Sequence, residues 1–292
     1  MELIKDNYAM PSGTGPTWRL DFKPASRPVR PYWEEINEMA DYMYANKTGK
    51  IYLLYSGGMD SEFCFNLFLE KGFDFTPVII RLQPGHNYHD LKYAIDFCES
   101  KKVKPLIIDV DFDHFVKSGK IVEIAESIQC SGHQIPTTMY VASQLDGFVV
   151  MGDCPPYIYP DPITKEWSFL EIEHVWTILK YYKQNNLEGC PWFLTWSSEL
   201  LLSYLTDPIF LELASNQLPG KLGSNSSKVH IYNSGNNFNI VNRQKYTGYE
   251  HIETHELFEH ENLKIFREQF VPKWGGIHKE EYFSLVDKLT FK

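Results

Sequence analysis

The chain lacks any pair of cysteines two residues apart, and it has no cysteine after Cys190. Its five cysteines, Cys64, Cys98, Cys130, Cys154 and Cys190, form an odd set without a CxxC redox or metal pair. The expectation is a reduced, soluble, cytoplasmic protein. No apolar run approaches the ~18 residues of a membrane span. Met1–Asp6 opens no signal-type apolar core, so no membrane partner is expected. Basic residues are also short: 28 Lys and Arg stand against 38 Asp and Glu, a formal net charge of −10. A broad duplex-binding face needs clustered cations to neutralise phosphates. Nucleic acid is therefore not the expected partner, whereas a local basic pocket for a small phosphorylated ligand stays compatible. No internal repeat is found.

What the chain does have is apolar and aromatic residues. Hydrophobic residues make up 43%, enough for a sizeable core, and aromatics 15%, which suggests aromatic-lined surfaces. At 292 residues there is room for one large domain or two modest ones. Residues 1–47 read as a proline-rich arm, in which 17–22 alternate like an edge strand, and then a helix from Trp33 to Asn46. Between residues 48 and 158 short apolar strands alternate with helical patterns. Strands are expected at Ile51–Tyr55, Pro77–Leu82, Pro105–Val110 and Gly147–Gly152. Helices are expected at Ser61–Lys71, Tyr88–Lys101, Phe112–Ile128 and Thr137–Leu145. That rhythm predicts an α/β fold, a doubly wound parallel sheet covered on both faces, with ligands at the carboxyl ends of the strands. Residues 159–292 read as mainly helical, with helices at Phe169–Tyr182, Trp196–Leu205, Tyr249–Phe270 and Glu280–Leu289. Gly220–Asn239, rich in Gly, Ser and Asn, reads as a long polar loop.

The stretch that organises the rest is Ile51-Tyr-Leu-Leu-Tyr-Ser-Gly-Gly-Met-Asp-Ser61. A buried strand, a glycine turn and a helix start form an anion site, because glycines admit close backbone approach and unpaired helix-start N–H groups point at the ligand. Ser56 and Ser61 add hydroxyls. The stretch has no lysine before its final serine, so it is not a Walker A loop. It resembles the SGGxDS pyrophosphate loop (PP-loop) of the N-type ATP pyrophosphatases, the group that includes asparagine and GMP synthetases, queuosine-pathway synthases, tRNA thiolases and PAPS reductases. The resemblance covers about residues 48–156 and implies the adenine nucleotide α-hydrolase-like (HUP) fold. It implies that Ser56, Gly57, Gly58, Asp60 and Ser61 hold the β- and γ-phosphates of ATP. The bond broken would then be α–β, with pyrophosphate leaving and Mg²⁺ neutralising it.

Further candidates lie at the strand ends and in the second half. Asp60 reads either as a metal or catalytic acid or as a helix-start acid favoured by the dipole. Asp153, in Met151-Gly-Asp-Cys-Pro-Pro156, resembles the acid that helps bind Mg²⁺ in the synthetases; its alternative is a turn aspartate. In the family the edge at Ile80, Arg81 and Leu82 receives adenine, largely through backbone groups. Arg81 could also meet a phosphate or carboxylate, or simply solvent. His133, in the loop before the fourth strand, is a candidate acid/base. Arg243 and Lys245 could close over the phosphates as a lid or be ordinary surface charges. His251, His255 and Glu259 fall at i, i+4 and i+8, but HExxH spacing is missing, and an acidic solvated helix is the better reading.

These residues lead to an AMP-forming ligase. An acceptor carboxylate or carbonyl is adenylated, and an amine then displaces AMP. The partners are a small-molecule acceptor and an amine donor, with homodimerisation left open. No glutaminase region precedes the loop, and Glu2 follows Met1, so the amine is expected from outside the chain. A sulfur-handling enzyme using Cys130 or Cys154 is the second reading. A nucleotide-binding module without turnover is the third.

Overall fold

The computed structural model describes residues 9–12, 19–130, 132–152, 157–160, 167–170, 173–210, 212, 224–242, 248–268, 276–278, 286–287 and 290–291. Strands β1 (Ala9–Ser12) and β2 (Arg19–Phe22) form an antiparallel hairpin. Helix α1 (Tyr32–Asn46) starts straight after Pro31 and buries Ile36, Met39, Ala40 and Met43, a helical spacing. Its entry is fixed by charge. Arg27 donates to both oxygens of Glu35 at 2.7 and 2.7 Å, and the Arg30 backbone N–H donates to the same carboxylate at 2.8 Å. Burial pushes the Glu35 carboxyl up, but the hydrogen bonds from Arg27 and Arg30 outweigh it and bring it down to about 2.

The chain then builds β3 (Ile51–Leu54), α2 (Met59–Glu70), β4 (Phe75–Gln83), α3 (Tyr88–Ser100), β5 (Leu106–Asp111), α4 (Phe112–Lys117), α5 (Lys120–Ile128), α6 (Gln134–Ala142) and β6 (Phe148–Met151). After β7 (Tyr157–Pro160), β8 (Trp167–Leu170) and α7 (Glu173–Gln184), a fifth strand, β9 (Gly189–Pro191), joins the sheet. The order is β5-β4-β3-β6-β9, with every pair parallel. This is the expected doubly wound α/β arrangement. The central strand β3 is buried along its whole length, as a strand covered on both faces must be. The chain winds from β3 outward through β4 to β5, then returns to place β6 and β9 on the other side. Strand order thus reverses between β3 and β6, and a crevice opens at their carboxyl ends.

The second half differs from expectation. Strand β9 lies beyond residue 158, where the ATP-binding unit was expected to end. Three residues containing Gly and Pro carry almost no strand signal, yet they pair with Val149, Val150 and Met151. Phe169 and Leu170, expected to start a helix, instead end a strand, Trp167–Leu170. It pairs with β7 and with β10 (Gly276–His278) in a small antiparallel sheet. The described C-terminal residues are still mainly helical, with α8 (Ser198–Leu205) as expected, but they also carry short strands. The polar stretch 220–239 contains a helix, α9 (Ser224–Asn233), in which Ser227, Lys228, Ile231 and Tyr232 are buried. The expected helix at 112–128 breaks at Gly119, which has φ +79°. The expected helix at 249–270 breaks into α10 (Glu250–Glu253), a 3₁₀ turn at Glu256–Glu259 and α11 (Glu261–Glu268). Consequently His251, His255 and Glu259 share no helical face; His255 Nδ1 accepts instead from the Leu257 N–H at 3.2 Å. Of the helix expected at 280–289, only residues 286–287 are among those described, and they are helical.

Most of the described aromatic residues pack inside, although Tyr42, Tyr88, Tyr93 and Phe291 are exposed. Phe63, Phe65 and Phe68 of α2 are fully buried, and Phe65 meets Tyr55, Phe75 and Phe97 at 5.0 to 5.2 Å between ring centres. Among the described residues no helix is long and apolar enough to cross a membrane.

Candidate functional site

Tyr55 makes the last sheet bond of β3, donating to Val78 O at 2.8 Å, before the chain turns out at Ser56. Gly57 holds φ +75°, and a Cβ there would lie 2.9 Å from Ala94 N on α3. The turn thus needs glycine both for its left-handed backbone and for the close approach of α3. Gly58 precedes α2 without a side-chain cap, so the first-turn N–H groups are left for another acceptor. Ser56 Oγ lies 3.3 Å from Ser61 Oγ and 3.4 Å from Gly58 N, and Ser61 Oγ donates to Gly58 O at 3.0 Å. Two hydroxyls and a helix start therefore converge, which is an anion-binding geometry.

A cavity of about 320 Å³ opens beside this turn. Ser56 and Ser61 stand at one end of it. Ile80 and Leu82 of β4 and Asn87, Asp90 and Ala94 beside them form one wall; Gln134, Ile135 and Thr138 of α6 form another. Met151 and Gly152 line it from the end of β6, and Gly248 and Tyr249 from the second half. The volume is within the range of small-ligand sites, roughly 300–1,000 Å³. Next to Tyr249, His89 Nε2 meets Glu250 Oε2 at 2.9 Å, which ties that segment to α3. Burial pushes the Tyr249 hydroxyl up to about 12.

The structure separates the expected site residues. Ser56, Ser61, Ile80 and Leu82 line the cavity, and Gly57 and Gly58 shape the turn. The β4 backbone expected to receive adenine is already bonded: Asn87 Oδ1 accepts from Leu82 N at 2.8 Å, and Asn87 Nδ2 donates to Ile80 O at 2.9 Å. These groups project past the end of β3 and need partners, which the Asn87 carboxamide supplies. Arg81 turns out of the cavity to Asp109, with Nε–Oδ1 at 2.6 Å and Nη2–Oδ2 at 2.7 Å. The β4–β5 register sets Arg81 opposite Asp109, which holds the guanidinium there. His133 sits against Tyr249 and Phe266, 5.0 and 6.2 Å between ring centres, rather than on the cavity wall. Its Nε2 is buried without a hydrogen-bond partner, and burial lowers its pKa to about 4. A neutral imidazole whose Nε2 is enclosed away from the cavity is poorly placed for acid/base work. Asp153, Cys154, Arg243 and Lys245 lie outside the described residues.

Asp60 departs most from expectation. Helix α2 begins at Met59, two residues early, so Asp60 falls in its first turn. Its carboxylate turns toward α9: Tyr232 OH donates to Oδ1 at 2.5 Å and Lys228 Nζ to Oδ2 at 3.1 Å. The Lys228 side chain is only 3% exposed. Tyr232 also stacks on Phe63, ring centres 4.5 Å apart and 18° between planes. Gly152 closes the other side, since a Cβ there would lie 3.0 Å from Asp60 O and 2.8 Å from Cys64 Sγ.

Sequence reasoning missed Lys228, Tyr232, Asn87 and Asp90. The only trace of the first two was Lys228, Ile231 and Tyr232 at i, i+3, i+4, masked by the surrounding Ser, Asn and Gly. The sulfur reading loses ground: Cys130 is fully buried, its Sγ 3.3 Å from Gly132 O, and does not line the cavity. Burial pushes the thiols of Cys64 and Cys190 well above the ordinary range. Among the described residues no group of His, Cys, Asp and Glu is arranged to hold a metal.

Comparison with protein-family models finds no match, and comparison with curated proteins finds none either. Among solved structures, a predicted subunit of tRNA methyltransferase from Methanocaldococcus jannaschii aligns at a TM-score of 0.33 and 14% identity. The alignment covers 63% of this chain and 86% of that one. A likeness that low adds nothing to the reading of the site.

Proposed function

We propose that this chain is an ATP-using enzyme that cleaves between the α- and β-phosphates, transferring AMP to a small acceptor and releasing pyrophosphate. The observation that carries this reading is the Ser56–Ser61 turn, set at the strand-order reversal and opening on a cavity of about 320 Å³. The free N–H groups of α2 and the two serine hydroxyls receive the leaving phosphates, and the apolar wall of Ile80, Leu82 and Ile135 takes the nucleoside. Stabilising charge on the leaving group is the largest lever such a site has. An amine from outside the chain then displaces AMP, as in an amide ligase; the residues that would choose the acceptor and the amine fall in the second half.

Mg²⁺ belongs to the expected chemistry, but Asp60 does not fit as its ligand. Both of its carboxylate oxygens accept hydrogen bonds, one of them from a buried ammonium.

The test is incubation with ATP in magnesium buffer and a pool of small metabolites. AMP and pyrophosphate are expected together, in equal amounts and dependent on the pool. ADP and phosphate would instead overturn the assignment. Ser56→Ala should slow release roughly tenfold or more, as loss of a donor to a charged group does. Gly57→Ala should abolish it by displacing α3.

A further inference from the structure

We infer that the cavity selects a nucleoside triphosphate by its phosphates and not by its base, because the Asn87 carboxamide already fills the backbone pair on β4 that would tell one purine from another. This rests on the reading of the Ser56–Ser61 turn as a phosphate site and names the substrate class: purine nucleoside triphosphates, whether the purine carries a 6-amino or a 6-oxo group.

Past the end of β3, the Leu82 N–H and the Ile80 C=O form a donor and an acceptor that both meet one carboxamide. A 6-aminopurine presents the complement to such a pair, an acceptor at N1 and a donor at its amino group; a 6-oxopurine presents the reverse. Left open, the pair would accept adenine and oppose guanine. It is not open. Asn87 Oδ1 accepts from Leu82 N at 2.8 Å and Asn87 Nδ2 donates to Ile80 O at 2.9 Å, so the carboxamide offers the same acceptor-and-donor edge as the aminopurine. Asn87 is also fixed in place. It is 9% exposed, and its own carbonyl accepts from the N–H groups of Asp90 and Leu91 at 3.0 and 3.2 Å. Gly248 packs behind it, since a Cβ there would lie 3.5 Å from Asn87 Cβ. An adenine that displaced the carboxamide would replace two bonds by two of the same kind. It would also leave a buried amide without partners, which opposes the exchange. The polar side chains that remain on the walls, Gln134, Thr138 and Asp90 among them, impose no choice. An amide flips, a hydroxyl rotates, and a carboxylate accepts from the amino group of adenine as from the N1–H of a 6-oxopurine. The apolar contact from Ile80, Leu82 and Ile135 is equally indifferent.

Titration calorimetry with ATP, GTP and ITP in magnesium buffer, with inorganic pyrophosphate alongside, tests this. Wild-type protein is expected to bind the three nucleotides within about tenfold of one another, less than a site built to hydrogen-bond its ligand gives. Asn87→Ala should uncover the backbone pair and separate ATP from GTP and ITP by roughly ten- to hundredfold, in favour of ATP. A wild-type preference for ATP beyond about tenfold would overturn the assignment to Asn87, and that measurement needs no variant to fold. An Asn87→Ala protein that is folded by circular dichroism and binds all three alike would overturn it too, because Asn87 would then decide nothing. In both cases nucleotide still binds, and the reading of the site stands. If wild type binds neither pyrophosphate nor any of the three nucleotides, the reading of the site falls and this assignment with it.

Discussion

Two ion pairs flank the crevice, and each contains a residue whose sequence position points to a ligand. Asp60 pairs with Lys228 on one side, and Arg81 with Asp109 on the other. The second is the shorter, 2.6 Å against 3.1 Å. Yet its side chains are 35% and 46% exposed, whereas those of the first are 21% and 3% exposed. Coulomb energy falls with the effective dielectric constant as steeply as with distance. The longer pair, held out of water, is therefore the one that costs more to break by removing a single partner. The shorter one lies where water and salt screen it. Distance alone ranks them the wrong way round.

The sharpest way to break this comparison is to remove one buried partner. Asp60→Ala leaves the Lys228 ammonium enclosed and unpaired, and such a change costs about 3–5 kcal/mol. The urea midpoint should fall accordingly, with the slope of the transition unchanged. Adding Lys228→Met to Asp60→Ala should recover most of the loss, because no charge is then left buried. A single variant as stable as wild type would show that water reaches the pair.

The same contrast explains what was legible beforehand. The β3 strand, the glycine turn and the start of α2 are written in consecutive residues: four buried apolar positions, Gly57 and Gly58, then Phe63, Cys64 and Leu67. Local pattern sufficed there, and it sufficed for β4, β5 and β6. It failed where long-range pairing decides. Gly189–Pro191 is a strand only because β6 presents an open edge. Ser224–Asn233 is a helix whose buried face, Lys228 and Tyr232, takes its meaning from Asp60, some 168 residues away for Lys228. Asp60 itself could be placed on the loop from sequence, but the direction of its carboxylate could not, because the partner lies in a segment with the composition of a loop. The partner of Arg81 was out of reach for a simpler reason: its register opposite Asp109 on β5 follows from strand pairing alone.

A buried titratable group with no charged partner is the intermediate case, and His133 supplies it. Burial lowers its pKa from 6.5 to about 4, so the folded protein keeps the ring neutral while the unfolded chain takes up a proton below 6.5. The sign follows: the contribution to stability is full above pH 6.5 and is lost as pH falls toward 4. The difference across that window is about 3 kcal/mol. Urea midpoints measured between pH 7 and 4 for wild type and His133→Phe should therefore converge on acidification, with wild type losing more. Parallel curves would mean that His133 titrates as if in water. ATP binding should not follow this titration, because the ring lines no part of the cavity.

The smallest effect is expected at the exposed pair. Arg81→Ala removes both bonds to Asp109, which keeps its contact from Gln83 Nε2 at 2.6 Å. The Arg81 guanidinium, with Gln83, holds the Asp109 carboxyl down at about 2; without the arginine that carboxyl should rise toward its ordinary value of 3.8, which nuclear magnetic resonance titration can follow directly. Stability at neutral pH should not change measurably, since Asp109 stays ionised and solvated in either case. Nucleotide affinity should not change either, because Arg81 points away from the wall that Ile80 and Leu82 form. A loss of ATP affinity in this variant, with the urea midpoint intact, would mean that Arg81 leaves Asp109 for a phosphate when ligand enters.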